Sequence, residues 1–229
     1  MLVITSNSRA DDRPAESIGR PFAHLNLRQN PFGSLERADW GNLAVLPFCL
    51  DSLAAELMEK KLALQFLGHA GRGKSTHLMA IHTRFADFAF TYIGPGQRPQ
   101  LGRNAVLFVD EFQRLSAFRR RRAYRGRQSV VIGSHEDLTA ELVNAGFETR
   151  TVQAGGTSEK TLGEILHRRV RYFRRTAAPV PLVSDDAVHA LHLKFGDDLR
   201  QITNGLYTTY QELSEVRRVE MRDIDSLRR

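Results

Sequence analysis

The stretch Gly68-His69-Ala70-Gly71-Arg72-Gly73-Lys74-Ser75 decides how this chain is read. It satisfies G-x-x-x-x-G-K-[ST], follows an apolar run directly and opens a helical one. Each residue type has a chemical reason. Glycines let the backbone curl until consecutive N–H groups converge on phosphate oxygens. The helix that follows adds its partial positive charge at the same point. Lys74 is then placed to neutralise the terminal phosphates of a nucleotide, and the Ser75 hydroxyl to ligate magnesium. Thr76 completes the expected nucleotide-binding set, residues 68–76. A coincidental match would arise in about one chain in a hundred of this length.

Downstream, Ala105-Val106-Leu107-Phe108-Val109-Asp110-Glu111 is an apolar run ending in two carboxylates. A buried strand that delivers adjacent acids to its C-terminal end puts them at the ligand crevice of an open α/β sheet. Asp110 is expected to hold the magnesium through water, and Glu111 to orient and deprotonate the attacking water. A kinase wants no hydrolytic base, so the second acid favours hydrolysis over transfer. Ser129-Val130-Val131-Ile132-Gly133-Ser134-His135 is a further short run ending in polar side chains. Either Ser134 or His135 could reach the γ-phosphate or the attacking water. Equally, His135 could cap a helix beginning near Glu136.

Around these motifs lie five short apolar runs, at 62–67, 88–93, 105–109, 129–132 and 147–152. Runs this short and continuous suit strands buried on both faces of a parallel sheet. Before them, 51–61 reads as a helix that Asp51 could cap, with Leu53, Leu57 and Leu62 near one face. Beyond Gly156 the spacing becomes helical. Leu162, Ile165, Leu166, Val170 and Phe173 form one stripe, Val188, Leu191 and Phe195 a second. Leu199, Ile202, Leu206 and Leu213 form a third. The expected organisation is a lead-in at 1–20, an α/β core at 21–156 and a helical subdomain at 157–229. The lead-in is rich in Ser, Asp, Arg and Pro and is expected to be disordered.

Composition bounds the function classes. The chain has 229 residues, 41% hydrophobic and 26% charged, as expected of a globular protein with a real core. Its apolar runs are too short to cross a bilayer, and the N-terminus lacks the apolar stretch of a secretory signal. Cys49 is the only cysteine, which excludes an internal disulfide or a cysteine-rich metal site. These features fit a reducing cytoplasm. A net charge of +7 suits a nucleic-acid partner, and equally a solvated basic surface.

Taken together, 68–75, 106–111 and 130–135 resemble the Walker A, Walker B and sensor 1 elements of an AAA+ ATPase. Leu162-Gly163-Glu164-Ile165-Leu166-His167-Arg168-Arg169 resembles the first lid helix of the replication-initiator branch. Phe195-Gly196-Asp197-Asp198-Leu199-Arg200-Gln201-Ile202 resembles the sensor 2 motif, which implies that Arg200 contacts the γ-phosphate from the lid. Asn30-Pro31-Phe32 is similar to the opening of transposition-helper and general-secretion-pathway A-type ATPases. The resemblance implies ATP as the nucleotide, a parallel sheet in order 5-1-4-3-2, and a helical lid. Two departures stand out. Only residues 94–104 separate the second and third strands, too few for the usual crossover helix. No arginine lies in 136–146, where a finger serving a neighbouring subunit is expected, and Arg150 falls inside a strand.

Arg119, Arg120, Arg121 and Arg122, with Arg125 and Arg127, form a dense basic segment interrupted by Tyr124. It could bind nucleic-acid phosphates with Tyr124 stacking, contact a neighbour's ATP, or clamp phosphates as a kinase lid. A solvated loop is the plain alternative. A second basic group, Arg168, Arg169, Arg171, Arg174 and Arg175, could be the polar face of the first lid helix. The leading expectation is an ATPase whose turnover drives conformational change on nucleic acid or a nucleic-acid-bound partner, alone or as a homo-oligomer. A nucleotide-switched helper with little turnover and a P-loop kinase are the alternatives.

Overall fold

A computed structural model describes residues 21–36 and 39–225 of the chain. The lead-in at 1–20 lies outside these residues. In order, the elements begin with α1 (Trp40–Leu43), α2 (Leu50–Glu59), β1 (Leu62–Leu67), α3 (Lys74–His82) and β2 (Phe90–Tyr92). There follow β3 (Val106–Asp110), α4 (Ala117–Tyr124), β4 (Ser129–Ser134), α5 (Thr139–Asn144) and β5 (Glu148–Gln153). The C-terminal part holds α6 (Glu159–Tyr172), α7 (Asp185–Phe195), α8 (Leu199–Glu212) and α9 (Met221–Asp225).

All five strands pair in parallel, in the order β2-β3-β4-β1-β5. This is the order the resemblance implied, read from the other edge. Side chains alternate between faces along a strand, and the packing follows that parity. Leu62, Leu64, Phe66, Val106, Phe108 and Val131 point to one face, where Leu53 and Leu57 of α2 and Leu78 and Ile81 of α3 cover them. Ala63, Leu107, Val109, Val130 and Ile132 point to the other, under Ala123 and Tyr124 of α4 and Leu142 of α5. Both faces being covered explains why β1, β3 and β4 are mostly apolar, the buried Gln65 of β1 being bonded to Asp137, Thr151 and the Leu138 N–H.

The connection from β2 to β3, residues 93–105, contains no helix. Arg119 of α4 and Arg127, just past the end of that helix, hold it instead. Arg127 donates to the Asn104 carbonyl at 2.5 Å and Arg119 to that of Pro99 at 2.9 Å. Asp51 does not cap α2. The cap position is Cys49, without a side-chain cap bond, and the Asp51 carboxylate accepts from Arg84 at 2.7 Å.

The helical stripes behave as their spacing predicts: Leu162, Leu166 and Val170 of α6, Val188 and Leu191 of α7, and Ile202 and Leu206 of α8 form one core. Phe22, Leu25, Leu27, Phe32 and Leu43 belong to that same core rather than to the sheet's. The N-terminal segment, grouped by sequence with the α/β part, thus packs on the lid helices. Fully burying each leucine or phenylalanine there stabilises by about 1.5–3 kcal/mol. Polar contacts add registration. Asn30 Nδ2 donates to the Tyr207 carbonyl at 2.9 Å, and Leu27 bridges Arg174 in antiparallel fashion.

Candidate nucleotide site

The phosphate loop leaves the C-terminal end of β1 and enters α3 at Lys74. Lys74 is only 4% exposed, and its ammonium donates to the carbonyls of Gly68 at 2.7 Å and His69 at 2.8 Å. Burial lowers its pKa from the ordinary lysine value, opposed by the charges of Glu111 and Asp110. The Ser75 hydroxyl donates to Asp110 Oδ2 at 2.5 Å. A hydroxyl beside a carboxylate is the hard-oxygen donor set that magnesium takes when substrate phosphates supply the rest. Among the described residues no cluster of three or more His, Cys, Asp or Glu side chains could hold a metal unaided.

Asp110 reaches Ser75 because the neighbouring strand makes room. A Cβ on Gly133 of β4 would sit 2.3 Å from Asp110 Oδ1. Gly133→Ala must therefore push the carboxylate off Ser75. We expect a loss of about 1–3 kcal/mol of stability from overpacking, together with weakened magnesium dependence of any turnover. Thermal unfolding and a magnesium titration check this; parent-like values in both would refute the close approach.

Glu111 follows in the left-handed region, φ 60 and ψ 40, which is uncommon for a non-glycine residue. Such outliers persist where the surroundings over-determine them, often at functional positions. Here Oε1 meets His135 Nε2 at 3.1 Å, while Oε2 accepts from Gln113 at 2.9 Å and pairs with Arg114 at 3.0 Å. Burial raises the carboxyl pKa, but the hydrogen bond from Gln113 and the charges of His135 and Arg114 outweigh it and hold Glu111 below the ordinary value. Ser134 is turned away, fully buried and bonded to both backbone polar groups of Glu136 at 2.7 and 3.0 Å. His135 is thus the residue that faces Glu111. It is not a helix cap either, since α5 starts at Thr139 with Leu138 at its cap position.

Lid and N-terminal segment complete the enclosure. A cavity of about 820 Å³ is lined by residues 70–77 and Glu111, by Trp40 and Val45, and by Arg169, Arg200 and Tyr207. Arg200 stands one position past Leu199, where Asp198 caps α8 by accepting from the N–H groups of Arg200 and Gln201 at 3.1 Å each. Asp198 also abuts the loop: a Cβ on Gly71, already at φ +81, would lie 2.4 Å from its Oδ1. Asp197 beside it forms an ion pair with Arg72 and accepts from the Gly156 N–H. Arg169 spans the lid and N-terminal segment, donating to the carbonyls of Pro31 and Gly33 with its guanidinium over the Phe32 ring. Burial pulls it down to about 10, which leaves it charged at neutral pH.

The structure therefore brings Lys74, Ser75, Thr76, Glu111 and Arg200 to one cavity, with Asp110 on Ser75 and His135 on Glu111. Gly68 and His69 line a separate cleft with His135, Asp137 and Asp197. None of the six arginines between 119 and 127 lines either. Arg120 is bound by the Glu141 carboxylate at 2.8 Å, and Tyr124 is buried with its hydroxyl on Glu141 at 3.0 Å, so Tyr124 does not stack on a ligand. Arg150 pairs with Glu56 at 2.6 Å and Glu148 at 3.0 Å on the β5 edge. Trp40, Gln113, Arg114, Asp197 and Tyr207 were not singled out by sequence. Only Gln113 and Arg114, two and three places after Glu111, carried a local signal.

No model of a known family matches the sequence, and no curated protein does. The fold is similar to the solved structure of Thermotoga maritima RuvB, a Holliday junction branch migration motor, with TM-score 0.54 at 17% identity. A single-site mutant of the same protein matches with TM-score 0.56 at 16% identity. Each comparison covers 76% of this chain and 65% of the other, so the chain spans about two thirds of the length of those structures. Among the described residues, no helix is long and apolar enough to cross a membrane. With its parallel order β2-β3-β4-β1-β5 and trailing helices, the chain has the fold of the AAA+ P-loop ATPases.

Proposed function

We propose that this cavity binds ATP with magnesium and hydrolyses the terminal phosphoanhydride. The observation that carries the reading is that Lys74, Glu111 and Ser75, the last bonded to Asp110, line one cavity. Magnesium, when bound, would supply charge neutralisation for the phosphates, with Ser75 and Asp110 as the residues that would hold it. Lys74 holds the phosphates, and Glu111 orients and deprotonates water. His135, rather than Ser134, positions Glu111 on this reading. Arg200 reaches the γ-phosphate from the lid, so hydrolysis releases a contact between lid and core. That release would drive conformational change on nucleic acid or a nucleic-acid-bound partner, a client supported by the likeness to a branch migration motor.

The test uses the sole tryptophan. Trp40 lines the cavity, so magnesium-ATP should change its emission saturably, and phosphate release with and without DNA reports turnover. Silent emission together with no phosphate release would sink the proposal.

One observation favours a second reading. Both oxygens of Glu111 are already engaged by His135, Gln113 and Arg114. A nucleotide-switched helper that turns over only when a partner frees Glu111 would show saturable Trp40 emission with negligible single-turnover hydrolysis.

A further inference from the structure

The helix α4 and the turn that follows it divide their arginines between two jobs. Arg119, Arg120 and Arg127 turn inward and bind backbone carbonyls or Glu141, holding the loop 93–105 and α5 in place. Phe118, Arg121 and Arg122 fall at i, i+3 and i+4 on one face of α4, and Arg125, the residue that ends the helix, follows at i+7. All four are exposed, Phe118 to 74%. None of these three guanidiniums has a hydrogen bond or ion pair with a described residue. The Glu141 carboxylate, which feels the charge of Arg121, is hydrogen-bonded to Arg120 and Tyr124. The loop held by the inward arginines carries two more exposed arginines, Arg98 and Arg103.

We propose that this outward face of α4 is a docking surface for single-stranded nucleic acid. Guanidinium forks match phosphate oxygens in a bidentate way that a merely solvated basic face does not require. Arg125 lies about one turn beyond both Arg121 and Arg122, so the three guanidiniums share one patch that can hold neighbouring phosphates of a backbone. The exposed aromatic ring at the row's end selects the class of ligand. Bases stack on aromatic rings only when they are unpaired, and stacking of this kind tolerates any base. An acidic protein could satisfy the arginines as well, whereas a single strand supplies phosphates and a stacking base side by side, as this patch sets Arg121 and Phe118. The surface lies over the sheet face opposite to α3, and its argument stands apart from the reading of the nucleotide site.

The experiment is fluorescence anisotropy of a labelled oligothymidylate with the full chain, over a salt series. The combined variant Arg121→Ala, Arg122→Ala, Arg125→Ala leaves the inward contacts intact and keeps good helix formers. It should lose most of the binding, and its slope of log affinity against log salt should fall by about 2. Phe118→Ala should weaken binding by about 5- to 150-fold with the salt slope unchanged. A charge-matched control, Arg171→Ala, Arg174→Ala, Arg175→Ala, should bind as the parent does. Absence of binding by the parent at low salt overturns the proposal. So does an equal loss in the control, which would mean a diffuse basic surface. Competition by polyglutamate as effective as by unlabelled oligothymidylate, with Phe118→Ala silent, overturns it in favour of an acidic protein partner. Thermal unfolding of each variant shows that the fold is retained.

Discussion

Glu111→Gln is expected to bind ATP as the parent does while turnover falls about 10²–10⁴-fold, the span typical of a lost general base. The amide keeps the size of the side chain and can still accept from Gln113, but it cannot take a proton from water. At neutral pH the native carboxyl is ionised, because Gln113, His135 and Arg114 overcome the effect of burial. The sign of the pH effect follows. A carboxyl lowered from 4.5 in the folded state contributes stability that is complete above about that value. The contribution fades as pH drops through the depressed folded value, so acid should unfold the parent more readily relative to Glu111→Gln. Phosphate release and equilibrium nucleotide binding check the first claim, acid unfolding the second. Turnover that survives the substitution would move the base elsewhere.

Lys74→Ala should have the second largest effect, on binding rather than turnover. A charge-assisted hydrogen bond contributes about 1.5–3 kcal/mol, so affinity for magnesium-ATP should drop about 10- to 150-fold, with hydrolysis lost below saturation. Some folding stability should go as well. The ammonium is almost wholly buried between the carbonyls of Gly68 and His69, and it faces the charges of Asp110 and Glu111. Removing it leaves those carbonyls without their donor and takes one cation from beside Asp110 and Glu111, although Glu111 keeps Arg114. Titration calorimetry measures the first effect and thermal unfolding the second. A change in affinity below threefold would show that the loop does not hold phosphates.

Much of the fold was legible in one dimension. Strands covered on both faces are apolar at most positions, so 62–67, 105–109 and 129–132 stood out despite the buried Gln65 and Ser129. β5 was found too, although as an edge strand it alternates more, with Glu148, Arg150 and Gln153 in it. The phosphate loop was legible because consecutive backbone groups cradle one ligand, which compresses the site into eight adjacent residues. The acidic pair was legible for a similar reason: both carboxylates ride on the end of one strand.

Choices that depended on distant neighbours were not legible. Whether Ser134 or His135 faces Glu111 was decided by the Glu136 backbone, which takes up the serine hydroxyl. The arginine-dense segment looked uniform, yet Glu141 and the carbonyls of 93–105 claim half of it and leave one helical face to solvent. Asn30-Pro31-Phe32 gave no hint of its partners, which come from α6 and α8 well over a hundred residues later. By itself the sequence determined the strands, the C-terminal helices and the phosphate loop, because periodicity and local spacing encode them, while the strand order was what the family resemblance implied. Only the tertiary structure decided which arginines are free, which residue holds Glu111 and what encloses the cavity. Those outcomes depend on partners that folding brings together from far apart.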